Sequence, residues 1–254
     1  MLDYHVHVLS HGEYQYTRGW IQKHLDKAKK RNLEEIGLCE HGEFAGSIDW
    51  ALIKEFRQHV GIPIKIGLEI DFIPGREEET ERLIRSGYYD YIIGSVHFVE
   101  GWGFDHPDYK QVYDEWDLDL LYERYFQLLQ DAVKTGYFDI LGHIDLIKIW
   151  GHRPLKHNIL DFALPLLKVI KDHNIVVEIN SSGLRKPIQE IYPSGDIVQA
   201  MFQLDIPVTV GSDAHHPEQV GEGLEAVYQL LKKTGYKKIT SFTLRKPYIR
   251  SILS

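Results

Sequence analysis

The side chains able to do chemistry in this chain recur at one kind of place, the end of a short apolar run. His5 and His7 close LDYHVHV, His41 follows in CEHG, Glu69 lies in IGLEIDF and His97 in IIGSVHF. His143 comes next in DILGHIDL, and Asp213 and His215 in VTVGSDAH. Imidazoles and carboxylates are the donors that hold catalytic divalent cations. The spacing His-x-His puts both rings on one face of a strand, because side chains there alternate with a period of two. One tetrahedral catalytic zinc uses three protein ligands and an open position. The eight side chains named here exceed that and suit two or three ions sharing carboxylates. Such clusters polarise phosphoryl oxygens and lower the pKa of water, which points to phosphoester hydrolysis.

The elements that must position these groups follow from the apolar pattern. Strands are expected at 2–8, 35–39, 62–72, 91–95, 138–142, 175–179 and 206–211. Each run is continuous rather than alternating, as in parallel strands buried on both faces. Amphipathic segments at 20–31, 48–58, 77–86, 117–135, 157–173, 194–204 and 217–234 alternate with them as helices. Such alternation implies right-handed crossovers and a parallel sheet or barrel. The carboxyl ends of all its strands then converge on one site. The stretch 99–115 follows His97, reads as a long irregular loop and would overhang that site. The run 238–244 pairs at an edge or closes the opposite end.

Composition bounds the rest. The chain has 254 residues, 43% hydrophobic and 26% charged, ordinary values for one globular domain spanning 1–254. A formal charge of −8 argues against a nucleic-acid-binding surface. Cys39 is the single cysteine, so no disulfide forms within the chain. No apolar stretch approaches the roughly 20 residues that span a bilayer, and the amino terminus has no signal-peptide pattern. The expectation is a cytoplasmic protein with no membrane partner; the sequence sets no oligomeric state.

The ordered motifs DYHVH, CEHG, LGHID and GSDAH, with GLEIDF and GSVHF between them, resemble the PHP (polymerase and histidinol phosphatase) superfamily along the whole chain. That resemblance implies a distorted (β/α)7 barrel with two or three divalent metals (zinc, manganese or iron) at the C-terminal face of its strands. It adds a ligand shortly after the first motif, for which His11 is the nearest residue. The segment EINSSGLRKPIQEIYPS resembles the histidinol-phosphate phosphatase branch, in which an arginine in this loop holds the phosphate; that role falls on Arg185. A guanidinium suits the task through two parallel hydrogen bonds. The implied reaction is hydrolysis of a small-molecule phosphate monoester, L-histidinol phosphate of histidine biosynthesis, by a metal-bridging hydroxide. Asp213, His215 and Arg185 are the expected catalytic residues.

Further substrate contacts are expected from Lys148, Arg153, Ser181 and Asn180, and a cationic substrate end would suit Asp71, Glu43, Phe104 and Asp105. His106 lies in the overhanging stretch and could touch substrate, His152 lies in the loop after the fifth strand, at the surface or the site, and His216 points away from its neighbour His215, toward solvent or behind the ligands. His24, His59, His157 and His173 are expected on solvated helix faces or helix ends. The alternatives are a nucleotide phosphodiesterase or phosphotyrosine phosphatase of the same superfamily, a metal-dependent amidohydrolase, and a non-catalytic metal-stabilised scaffold. Amidohydrolases place a modified lysine or carboxylate after the fourth strand, where this chain has His97.

Overall fold

A computed structural model describes residues 1–252. Its main sheet takes the order β1 (Leu2–Val6), β2 (Glu35–His41), β3 (Ile64–Asp71), β4 (Tyr91–Ser95), β7 (Ile140–Leu141), β8 (Val176–Asn180) and β9 (Val208–Gly211). Every adjacent pair is parallel. The first and last strands meet where His7 N donates to the Ala214 carbonyl at 2.8 Å and Ala214 N to that of His5 at 3.1 Å. The result is a distorted seven-stranded parallel barrel. All seven expected strands form, the fifth run contracting to Ile140–Leu141. Asp139, just before it, turns its carboxylate to Ile92 N and Arg245.

Helices α1 (Arg18–Lys30), α2 (Trp50–His59), α3 (Glu77–Arg85), α4 (Leu118–Lys134), α5 (Ile159–His173), α6 (Gly195–Gln203) and α7 (Leu224–Thr234) follow successive strands. Local chemistry sets their ends. Thr17 caps α1 by accepting from Trp20 N, and Asn158 with Asp161 forms a capping box on α5. The helix expected from 217 starts only at Leu224, because Gly221 and Gly223 adopt φ of +71° and +76°. No helix among the described residues is long and apolar enough to cross a membrane. His24 departs from the expected solvated position. It is buried on α1, Nδ1 facing the Trp20 carbonyl at 2.9 Å.

The N-terminal end of the barrel is plugged by Tyr91, whose ring packs 4.8 Å from that of Tyr4. A Cβ at Gly67 would lie 2.2 Å from the Tyr91 ring, so only glycine admits the plug. The hairpin of β10 (Lys238–Thr243) and β11 (Lys246–Ser251) closes this end from below. Phe242 N donates to the Tyr4 hydroxyl and Leu244 N to Asp90, at 3.0 and 3.1 Å.

At the other end, the stretch after His97 is more ordered than expected. It forms a small hairpin, β5 (Phe98–Val99) with β6 (Trp102–Gly103), and a 3-10 segment, Pro107–Glu115. Tyr113 Oη donates to the Ile147 carbonyl at 2.8 Å and Trp150 Nε1 to that of Phe104 at 2.8 Å, clamping this lid to the loop after β7.

Candidate metal centre

Each strand delivers its donors to the same mouth. His5 and His7 leave β1 on one face, fully buried; His41 ends β2, and Glu69 stands two residues before the end of β3. His97 and His143 follow β4 and β7, while Asp213 and His215 follow β9. Glu69 is the hub. Its Oε2 lies 3.0 Å from His41 Nδ1, 3.3 Å from His5 Nε2 and 3.5 Å from His7 Nε2. Its Oε1 lies 3.1 Å from His143 Nε2 and 3.9 Å from His97 Nε2, and accepts from Ser95 Oγ at 2.6 Å. Asp213 Oδ1 stands 3.5 Å from both His7 Nε2 and His215 Nδ1.

Three sets of potential ligands result: His7, His41 and His215; His5, His7 and Glu69; Glu69, His97 and His143. Within each, the donor atoms lie within 4.8 Å of one another. Because the sets share His7 and Glu69, they form one continuous cluster. His11 stays on the exposed loop after β1 and takes part in none of the three sets. Its ring approaches those of His215 and His41, with centroids 4.5 and 5.3 Å away.

The donor set fits divalent cations. His5 Nε2, both ring nitrogens of His7 and His143 Nδ1 are buried with no hydrogen-bond partner. Burial without a partner is costly for a polar atom, and a cation would supply the missing interaction. The electrostatics agree. Burial and the neighbouring His41 and His215 hold His7 well below the usual imidazole range, and burial takes His215 down to about 4, so both stay neutral donors. Burial opposes ionisation of Glu69 and Asp213, yet the surrounding imidazoles, His5 foremost, hold both carboxyls well below their ordinary values.

The segments carrying these ligands are tied down by acids, of which the sequence marked only Asp71, and that for the substrate. Glu40 accepts from Val8 N and Leu9 N, at 2.9 and 3.1 Å, fixing the chain beyond His7. Asp3 accepts from Ser212 N and Gly221 N, each at 2.8 Å, fixing the turn that carries Asp213. Asp213 itself takes φ of +53°, a left-handed conformation uncommon outside glycine, asparagine and aspartate. Glu178, inside the apolar run of β8, and Asp71, at the end of β3, stand 2.7 and 2.5 Å from the Nδ1 atoms of His5 and His97.

A cavity of about 800 Å³ opens above the cluster. Its lining includes Arg185, Lys186 and Ser182, the acids Glu43, Asp71 and Asp105, and Trp102 and Tyr109 from the lid. Arg185 Nη2 donates to the carbonyls of Ser212 and Asp213, at 2.7 and 3.1 Å, while Nη1 is buried and unpartnered. Ser182 Oγ is likewise buried and unpartnered.

Several expected contacts lie elsewhere. Lys148 is fully buried and absent from the cavity wall; its ammonium donates to Asp145, Glu190 and the Ile191 carbonyl at 2.8, 3.1 and 2.9 Å, leaving no donor for phosphate. Arg153 is spent on Glu190, with Nη2 2.6 and 2.7 Å from the two oxygens. Ser181 is one residue out of register, its hydroxyl turned to the Glu222 carbonyl at 2.5 Å, and Ser182 takes the place at the cavity. Asn180 is buried below the cavity, where its side chain binds Glu178 and Ser182 N. Phe104 packs under the lid against Trp102 and Tyr125. His106 does reach the cavity wall, whereas His152 stacks on Tyr113.

Comparison with known proteins agrees with this geometry. The PHP domain family matches residues 3–182, and a PHP-associated family matches 199–227, the segment that contributes β9. A probable histidinol-phosphatase of Deinococcus radiodurans is 37% identical over 202 residues, covering 78% of this chain and 70% of that protein. The histidinol-phosphatase of Lactococcus lactis is 25% identical over 272 residues, covering 95% of this chain and 94% of that protein. The crystal structure of the Lactococcus lactis histidinol phosphate phosphatase, complexed with zinc, L-histidinol and phosphate, superposes with a TM-score of 0.79 at 23% identity. The match covers 97% of this chain and 98% of that one. The crystal structure of a putative histidinol phosphatase from Listeria monocytogenes gives 0.73 at 21% identity, covering 89% and 99%. This chain belongs to the PHP domain family.

Proposed function

We propose that this protein is a metal-dependent phosphatase that hydrolyses L-histidinol phosphate to L-histidinol and phosphate, a step of histidine biosynthesis. The observation that carries the reading is the juxtaposition, in one cavity, of the buried imidazole–carboxylate cluster with two unpartnered donors, Arg185 Nη1 and Ser182 Oγ. Names of relatives along most of the chain support the substrate. His5, His7, His41, Glu69, His97, His143, Asp213 and His215 would hold two or three divalent ions, with His11 at the rim. Zinc, manganese or iron bound there would supply Lewis acidity toward phosphoryl oxygens and a water of lowered pKa.

The chain's own groups do the rest. Arg185 is fixed by the carbonyls of the turn that carries Asp213, which leaves Nη1 without a protein partner before substrate arrives. It neutralises charge on the phosphoryl group, which rises toward the transition state. Glu43, Asp71 and Asp105 add acidic groups to the same lining, suiting the ammonium group of an amino alcohol. Trp102 and Tyr109 offer ring faces to an imidazole and narrow the entry of water. The test is elemental analysis of purified protein combined with assays on L-histidinol phosphate, nucleotides and phosphotyrosine. Metal-bearing protein with preferential turnover of histidinol phosphate is expected; equal or better turnover of the other esters would move the reading to another PHP phosphoesterase.

A further inference from the structure

The structure assigns to Glu178 the role of a positioning residue that presents His5 to the metal cluster and fixes the segment carrying His143. This rests on the metal reading above and adds a residue to it.

Glu178 is the one charged side chain of β8, and it is fully buried. Its ion-pair partner among the described residues is His5, with Oε1 2.7 Å from Nδ1; no lysine or arginine reaches it. Oε2 accepts from His143 N at 3.2 Å and from Asn180 Nδ2 at 3.0 Å. A neighbouring strand clears space for it, since a Cβ at Gly211 would lie 2.2 Å from Oε1 and 2.6 Å from the Cβ of His5. A buried carboxylate without a cationic side chain beside it is costly unless its neighbours repay it. Here the repayment comes from groups that belong to two ligand segments.

The chemical consequence concerns which nitrogen faces the cluster. An ionised carboxylate only accepts, so Nδ1 of His5 carries the proton that it receives. Nε2 is then the nitrogen turned inward, 3.3 Å from Glu69 Oε2 and without a hydrogen bond of its own. An acid behind a ligating imidazole fixes the ring and raises its basicity, and removing such an acid costs ten- to a hundredfold in metal affinity.

The test is zinc affinity of Glu178→Gln by competition with a chromophoric chelator. The expected result is at least one zinc equivalent bound about ten- to a hundredfold more weakly than in the wild type. The chelator-treated variant should still unfold cooperatively. In long-range ¹H–¹⁵N spectra of the imidazoles, the wild type should show His5 protonated at Nδ1, and the variant should lose that shift. Should the glutamine variant not fold, Glu178→Asp, which keeps the charge but withdraws it from Nδ1, carries the same expectation. Unchanged stoichiometry and affinity in a folded variant overturn the assignment. Wild-type protein that binds no zinc, manganese or iron overturns the metal reading itself, and this assignment with it.

Discussion

The two ends of this barrel bury acids in opposite ways. At the N-terminal end, Asp90 accepts from Arg57, Ile66 N and Leu244 N at 2.5, 2.9 and 3.1 Å, and Asp139 from Ile92 N and Arg245 at 2.9 and 2.8 Å. Glu35 is held there by Tyr4, Ser241, Tyr248 and Arg250. Permanent cations, hydroxyls and backbone amides are the partners of these groups. At the C-terminal end the partners of Glu69 and Asp213 are imidazoles, and nitrogens of His5, His7 and His143 are left over. A satisfied acid holds the fold together; an acid surrounded by spare lone pairs keeps a place for something else.

Substitutions should separate the two ends. Asp213→Ala is expected to lower kcat/KM by about 10³-fold or more and to reduce bound metal, read by steady-state kinetics and elemental analysis. An active, metal-free variant would erase the distinction. Asp90→Ala at the opposite end should cost about 3–5 kcal/mol in denaturant unfolding while leaving kcat of the folded fraction unchanged.

His24 supplies a control, because its Nε2 is buried and unpartnered on α1, outside the ligand sets. Burial takes its pKa down from 6.5 to about 4. The unfolded chain therefore binds the extra proton first. The contribution is complete above pH 6.5 and is lost as pH falls toward 4, amounting to about 3 kcal/mol at most. His24→Leu should flatten that slope in unfolding measured across pH 4–7; an unchanged slope would assign it to other groups. The smallest effect is expected from Arg185→Ala. kcat/KM for histidinol phosphate should fall about 10- to 100-fold with metal content intact, whereas loss of metal would make Arg185 part of the scaffold.

Much of this was legible in the sequence because strands buried on both faces leave continuous apolar runs, and a ligand at the end of each run interrupts them visibly. What escaped depends on tertiary pairing. Glu178 sits inside VVEIN, where nothing local distinguishes a buried acid from a strand residue facing water. Lys148 reads as a loop cation able to meet phosphate, yet Asp145 and Glu190 draw it fully inside. The choice between Ser181 and Ser182 turned on one residue of register at the end of β8, which the backbone decides and the residue types do not. The lid's order likewise comes from remote bonds, Tyr113 to Ile147 and Trp150 to Phe104.

The closure of β1 against the turn after β9 has a consequence for biosynthesis. Asp3 and Ser212, which pin the two strands together, are 209 positions apart. A ribosome releases His5 and His7 long before Asp213 and His215 exist. The emerging polypeptide therefore holds only fragments of this cluster of donors, and its assembly must await translation past His215. Joining such distant partners also carries a large loop-closure entropy, which makes this seam an expected late event of maturation.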